Sequence, residues 1–272
     1  MIFHPKTVLE HNSLKLEKPS STDKYVLNNN YTMDKRSLEG KVAIVTGGTK
    51  GIGKGIADAL KKYGATVVVS ARNPEKTNHY FVKCDVSNFN EAQSLVNETI
   101  KKYKKIDILV NNAGIYPFVS LPDMTEQQWD QVIAVNLKGV FNCTKAAIPF
   151  MMEKKYGKIV NITSIAGTKV GFPNLVHYCS SKAGIVGFTK AAALDLAQYK
   201  INVNAIAPGA IMTPGTKAGL GKDALNQLVQ TIPEKRVGKP VDIAETVAFL
   251  VSDAAEYITG ETVTVDGGYT DQ

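Results

Sequence analysis

The sequence predicts an α/β chain, with about seven strands forming one parallel, doubly wound sheet in a single domain. Two observations carry most of this. From Lys41 onward, short apolar runs alternate with segments of helical periodicity, the pattern of strands joined by crossover helices. A glycine-rich turn joins the first strand to the first helix, and later strands end at Asp85, Asn112, Ser164 and Pro208. In an open parallel sheet, function sits at those carboxyl ends.

Composition sets the frame. The chain has 272 residues, 44% hydrophobic and 21% charged, which is ordinary for a globular protein with a substantial core. The net charge is +7. A basic balance admits nucleic acid, an acidic partner or a phosphorylated ligand. The lysines are dispersed, however, and the densest cluster, Lys101-Lys102-Tyr103-Lys104-Lys105, closes a helical pattern. Cations suit the dipole there, so no nucleic-acid partner is expected. Cys84, Cys143 and Cys179 are an odd count without metal-ligand spacing, which suits a reducing cytoplasm and predicts no metal. No apolar run approaches the ~18 residues of a membrane span. No signal peptide opens the chain, and no membrane partner is expected.

In chain order, residues 1–38 are polar and rich in Asn, Ser and Lys. They read as a flexible N-terminal extension, with a docking arm or an over-long start before Met33 as alternatives. The folded domain then covers 39–272. Val42-Ala43-Ile44-Val45 is a strand running into Thr46-Gly47-Gly48-Thr49-Lys50-Gly51-Ile52-Gly53. A helix comes next, with Ile56, Ala59 and Leu60 on one face, and then a strand at 66–70. Strand, glycine turn, helix and strand form a βαβ unit with the signature of a Rossmann-type dinucleotide site. Glycines let the backbone approach a pyrophosphate, and the helix N-terminus offers free N–H groups and a positive dipole end. The spacing of Gly47, Gly51 and Gly53 is G-x-x-x-G-x-G. Strands at 80–84, 108–110, 158–162, 201–206 and 261–265 continue the alternation. Helices are expected over 89–103, about 126–150, up to about 198, and 242–252.

Tyr178 and Lys182 lie four residues apart on the third of these helices, a spacing that puts both on one face. A phenol titrates near 10 and is a poor acid or base at neutral pH. An ammonium roughly 5 Å away, at an effective dielectric of about 20, favours the phenolate by on the order of 3 kcal/mol. That is about two pK units, enough to make the tyrosine a usable proton donor and acceptor.

Together the motifs resemble the short-chain dehydrogenase/reductase family. The resemblance covers about Leu38 to Tyr269. It rests on 46–53, Cys84-Asp85-Val86, Asn111-Asn112-Ala113-Gly114, Asn136 in a helix, Ser164, Tyr178-x-x-x-Lys182 and Pro208-Gly209. It implies an oxidoreductase that moves a hydride between a nicotinamide cofactor and a carbonyl or secondary alcohol. Tyr178 would be the general acid/base and Ser164 would hydrogen-bond the substrate oxygen. Lys182 would lower the Tyr178 pKa and hold the nicotinamide ribose. Asn136 would support a water relay to Lys182. The implied cofactor contacts are Gly47, Thr49, Lys50, Gly51, Ile52, Gly53, Arg72, Asp85, Val86, Asn112, Ala113, Gly114, Tyr178, Lys182, Pro208, Gly209, Ile211 and Thr213. Small residues on the Tyr178 helix, and that helix's usual place in a subunit interface, imply a homotetramer, with a dimer as the alternative.

Cofactor choice depends on the residues just after the second strand. Ser70-Ala71-Arg72-Asn73 carries no carboxylate for a ribose 2′-hydroxyl. Arg72, helped by Lys50, can pair a 2′-phosphate. NADP(H) is therefore expected, with NAD(H) the less favoured alternative. Only Asn73 to about Asn78 separate the second and third strands, where many family members have a helix. The short link favours a sugar substrate, and the basic charge favours an acidic carrier protein. The substrate is thus a ketone, a 3-oxoacyl thioester or an aldose. Its pocket is expected from 115–119, 166–177 and 214–232. Tyr116, Phe118, Phe172, Leu175 and His177 would form an apolar wall, with 214–232 a mobile lid. A non-catalytic NADP(H)-binding sensor or scaffold is the alternative from another class.

Overall fold

The computed structural model describes residues 37–73, 76–219 and 221–272. The extension expected over 1–38 lies outside the described residues apart from Ser37 and Leu38. Leu38 is fully buried, and its N–H donates to the Tyr63 carbonyl at 2.8 Å.

Among the described residues, seven strands form one sheet: β1 (Val42–Thr46), β2 (Thr66–Ala71), β3 (Tyr80–Lys83), β4 (Ile108–Asn111), β5 (Gly157–Ile162), β6 (Ile201–Pro208) and β7 (Thr262–Val265). Their spatial order is β3-β2-β1-β4-β5-β6-β7, and every neighbouring pair is parallel. The order runs outward from β1 to β3, then returns to β4 on the other side of β1. That reversal opens a crevice at the carboxyl ends of β1 and β4.

The helices are α1 (Gly51–Lys62), α2 (Phe89–Tyr103), α3 (Glu126–Ile133), α4 (Gly139–Glu153), α5 (Val176–Ala197), α6 (Pro214–Gly219), α7 (Lys222–Thr231) and α8 (Pro240–Leu250). Because strand side chains alternate in direction, β1 feeds two cores. Ala43 and Val45 join Ile56, Leu60, Ile243 and Val247 of α1 and α8. Ile44 joins Leu95, Met151 and Leu196 of α2, α4 and α5. The sheet is therefore covered on both faces. No helix among the described residues is long and apolar enough to cross a membrane.

One expectation changes. The single helix read over about 126–150 is interrupted between α3 and α4 by a wider π-helical turn, Ala134–Lys138, which carries Asn136. Such turns are rare and mark functional sites. The stretch expected as a mobile lid, 214–232, contains α6 and α7. The link from β2 to β3 is short, as read, and no helix occupies its described residues.

Candidate active site

The first part of the site is built where β1 and β4 end. The Asn112 and Ala113 N–H groups both donate to Thr46 Oγ1, at 3.0 and 3.1 Å. Asn112 Nδ2 donates back to the Thr46 and Gly47 carbonyls, at 2.9 and 3.2 Å. These bonds hold the glycine turn close against the end of β4. A side chain would not fit in it: a Cβ on Gly53 would lie 2.2 Å from the Gly47 carbonyl oxygen and 2.4 Å from Asn112 Nδ2. Gly47 adopts a φ of +63°, and its Cβ would lie 3.0 Å from Ala113 Cα. The turn delivers α1 with no acidic residue in its first turn, so an anion placed at its N–H groups would meet an undiluted dipole.

A cleft of ≈ 150 Å³ opens beside this turn. Gly47, Thr49, Lys50, Arg72, Asp85, Val86, Ala113 and Gly114 all line it. Arg72 is exposed at its rim. Asp85 lines the cleft while its Oδ1 accepts from the Ser87 N–H and hydroxyl, at 3.0 and 2.7 Å. The turn role and the cleft role coexist in that residue. A shaped glycine cradle, a free helix N-terminus and a basic rim fit a dinucleotide phosphate.

The second part lies at the end of β5 and the start of α5. The Ser164 hydroxyl stands near enough to the Tyr178 phenol to lower its pKa. Lys182 is buried and donates from Nζ to the Ile162 carbonyl at 2.8 Å. Its Nζ lies 5.5 Å from the centre of the Tyr178 ring. Thr163 Oγ1 donates to the Lys182 carbonyl at 2.9 Å, tying β5 to α5. Gly114 joins the two parts, since a Cβ there would lie 3.3 Å from Asn136 Oδ1 and 3.7 Å from Lys182 Nζ.

Asn136 is fully buried, and its amide is committed to main chain and helix. Its Oδ1 accepts from the Ile115 N–H at 2.8 Å. Its Nδ2 donates to the Ile115 carbonyl at 2.9 Å and to Ser181 Oγ at 3.1 Å. Both N–H groups are thereby used. The Asn136 side chain straps Ile115 to Ser181 of α5.

The electrostatics also differ from the simple pair. Burial pushes the Tyr178 phenol up to about 12, and the nearby Ser164 hydroxyl pulls it partly back. Burial depresses Lys182 to about 8. Among the chain's own groups desolvation outweighs the ion–phenol attraction, because both side chains have left water.

The apolar wall is only partly as read. Tyr116 and Phe118 are exposed, at 46% and 70%, and Phe172 is half-buried. Leu175 and His177 are buried. His177 Nδ1 accepts the Tyr178 N–H at 2.9 Å. It takes the place of a side-chain cap, which Leu175 at the N-cap position does not supply. Burial holds its imidazole below the usual range. Tyr116 packs edge-on to Tyr178, ring centres 6.0 Å apart.

The remaining predicted contacts divide. Thr213 lies against Gly51, 3.5 Å from a Cβ there. Pro208 ends β6, and the Gly209 N–H donates to the Val265 carbonyl at 2.9 Å. The Ile52 and Ile211 side chains pack into the core. Thr46 and Ser181 were missed. Their hydroxyls look ordinary in sequence, and only the fold shows what they hold.

A family model described as enoyl-(acyl carrier protein) reductase matches residues 47–270. The 3-oxoacyl-[acyl-carrier-protein] reductase FabG of Staphylococcus epidermidis is 42% identical over 241 residues, 84% of this chain and 98% of its own. That of Thermotoga maritima is 41% identical over 245 residues, 85% of this chain and 98% of its own. The solved ligand-free structure of Thermoplasma acidophilum aldohexose dehydrogenase matches with a TM-score of 0.82 at 33% identity, covering 86% of this chain and 96% of its own. With this sheet order, this glycine cradle and relatives matched over nearly their whole length, the chain belongs to the short-chain dehydrogenase/reductase family of oxidoreductases.

Proposed function

We propose that the chain is an NADP(H)-dependent oxidoreductase acting on a carbonyl or secondary alcohol, and that its substrate is a 3-oxoacyl thioester. One observation carries the activity: Ser164, Tyr178 and Lys182 converge beside Gly114, at the inner end of the cradle. The nicotinamide supplies the hydride when it is bound there. In reduction, Tyr178 gives its phenolic proton to the substrate oxygen as the carbonyl carbon becomes an alcohol carbon. Ser164 hydrogen-bonds that same oxygen and orients it. Lys182 places positive charge near the phenolate that remains. The phenol's high pKa keeps its proton in place at neutral pH, which suits the reductive direction.

The thioester reading is supported by the FabG relatives. The aldohexose dehydrogenase likeness and the short link after β2 favour an aldose as the second reading. Arg72 at the cleft rim, with Lys50 beside it, supports NADP(H). Absorbance of the reduced nicotinamide separates these readings. NADPH should be consumed with a 3-oxoacyl thioester, and faster than NADH. Turnover confined to NADP⁺ with aldoses would move the chain to the second reading. Silence across both substrate classes and simple ketones, with cofactor still bound, would favour a sensor. Arg72→Asp is expected to shift preference toward NADH by at least about tenfold, the scale of one charge-assisted phosphate contact. An unchanged preference would contradict that assignment.

A further inference from the structure

The loop between β5 and α5 has no catalytic side chain after Ser164, yet its shape is tightly determined. The Thr163 and Ile165 N–H groups continue the pairing with β6, donating to Ile206 and Pro208 carbonyls at 2.8 and 3.0 Å. The chain then closes on itself. The Ile165 carbonyl accepts from the Lys169 and Val170 N–H groups at 2.9 and 3.1 Å, and the Gly167 N–H donates to the Val170 carbonyl at 2.7 Å. The Ala166 N–H donates to Ser164 Oγ at 3.1 Å, and the Thr168 hydroxyl donates to the Ser164 carbonyl. Ser164 is thus part of a small rigid turn.

Gly167 is the apex of that turn and adopts a φ of +82°. A Cβ on it would lie 2.1 Å from the Cys179 carbonyl oxygen, 2.6 Å from its carbonyl carbon and 2.7 Å from its Cα. All three are main-chain atoms of α5, in the residue after Tyr178. The Cys179 N–H also makes an opening bond of that helix, to the Leu175 carbonyl at 2.8 Å. No flexible side chain is available to move aside, so the turn and the helix meet backbone to backbone.

We infer that Gly167 is a positioning residue whose contact with Cys179 sets the reach between Ser164 and Tyr178. The inference rests on reading Ser164 and Tyr178 as the catalytic pair. Any Cβ at 167 drives the Ser164 turn and the first turn of α5 apart by about 1 Å, a misplacement that costs on the order of 100-fold in rate. Gly167 does not line the cleft beside the glycine turn.

The test compares Gly167→Ala with the wild type. Reductase turnover is read with NADPH, cofactor affinity by NADPH fluorescence, and the acid limb of the reverse, alcohol-oxidising rate from its pH profile. Gly167→Ala is expected to lose about 100-fold in kcat while its NADPH Kd stays within about twofold. Its acid limb should move to higher pH, because the Ser164 hydroxyl that lowers the Tyr178 pKa is moved away. If Gly167→Ala does not fold, Thr168→Val cuts the tie to the Ser164 carbonyl without touching α5, and should move kcat and the acid limb in the same directions. Wild-type kcat and pH profile in the folded variant overturn the inference. So does a loss of NADPH affinity equal to the loss of kcat. Tyr178→Phe separates the two layers: activity in that variant overturns the reading of the site and the inference with it. Inactivity there, beside a fully active Gly167→Ala, overturns the inference alone.

Discussion

Lys182 brings an ammonium into the interior with a carbonyl, not a carboxylate, as its hydrogen-bond acceptor. Desolvation accordingly depresses it from 10.5 to about 8. Between those two values the unfolded chain holds the proton that the folded chain has lost. The folded state is therefore favoured as pH rises through that window, and it bears the full penalty below about 8. Lys182→Met should raise the melting temperature at pH 7 while removing activity, and its advantage should shrink toward pH 10.5. A variant that melts below the wild type at pH 7 would contradict this account. The Tyr178–Lys182 pair is legible in sequence because four residues is a helix repeat. The strap from Asn136 to Ile115 is not, because it spans 21 residues and depends on two chain segments meeting. Nor is the sign of the Tyr178 shift, which burial decides and spacing does not show.

At the scale of elements, the β1–α1 turn is the most constrained piece of backbone in the cleft. Gly53→Ala would place its methyl against the Gly47 carbonyl and open the cradle. It should weaken NADPH binding at least tenfold, read by cofactor fluorescence, and unchanged affinity would count against the cradle. Most strands and helices were readable from the alternation to within two residues. The β1 run, for example, is unbroken Val-Ala-Ile-Val, bounded by Lys41 and the glycine turn. The misread piece has a physical reason. The π-helical turn has the same periodic pattern as the helices beside it, so nothing local announces it. In the stretch expected as a lid, the Thr213 hydroxyl accepts the Thr216 N–H and organises the start of α6, a local bond that the sequence does not display.

For the whole molecule, alternation predicted a parallel sheet, but not its order, which depends on the side of β1 taken by each crossover. The helix α5 points beyond a single chain. Its inner side buries Ser181, Ile185, Thr189 and Leu196, while Ala183, Gly187, Ala191 and Leu194 stay exposed on the other. Leu194 is 80% exposed, and Phe141 on α4 is 48% exposed. A helix apolar on both sides is suited to burial on both, which supports the proposed homotetramer. Leu194→Glu should give a smaller species by light scattering, and an unchanged mass would move the interface elsewhere.

The central claim is that Tyr178 moves the proton while the cleft holds a nicotinamide. The most direct measurement is NADPH oxidation with a 3-oxoacyl thioester by the wild type and by Tyr178→Phe, with NADPH affinity determined for both. The account predicts that the variant binds NADPH as the wild type does and loses at least about 1,000-fold in kcat, within the usual span of general acid catalysis. Turnover by Tyr178→Phe within a few-fold of the wild type would contradict it.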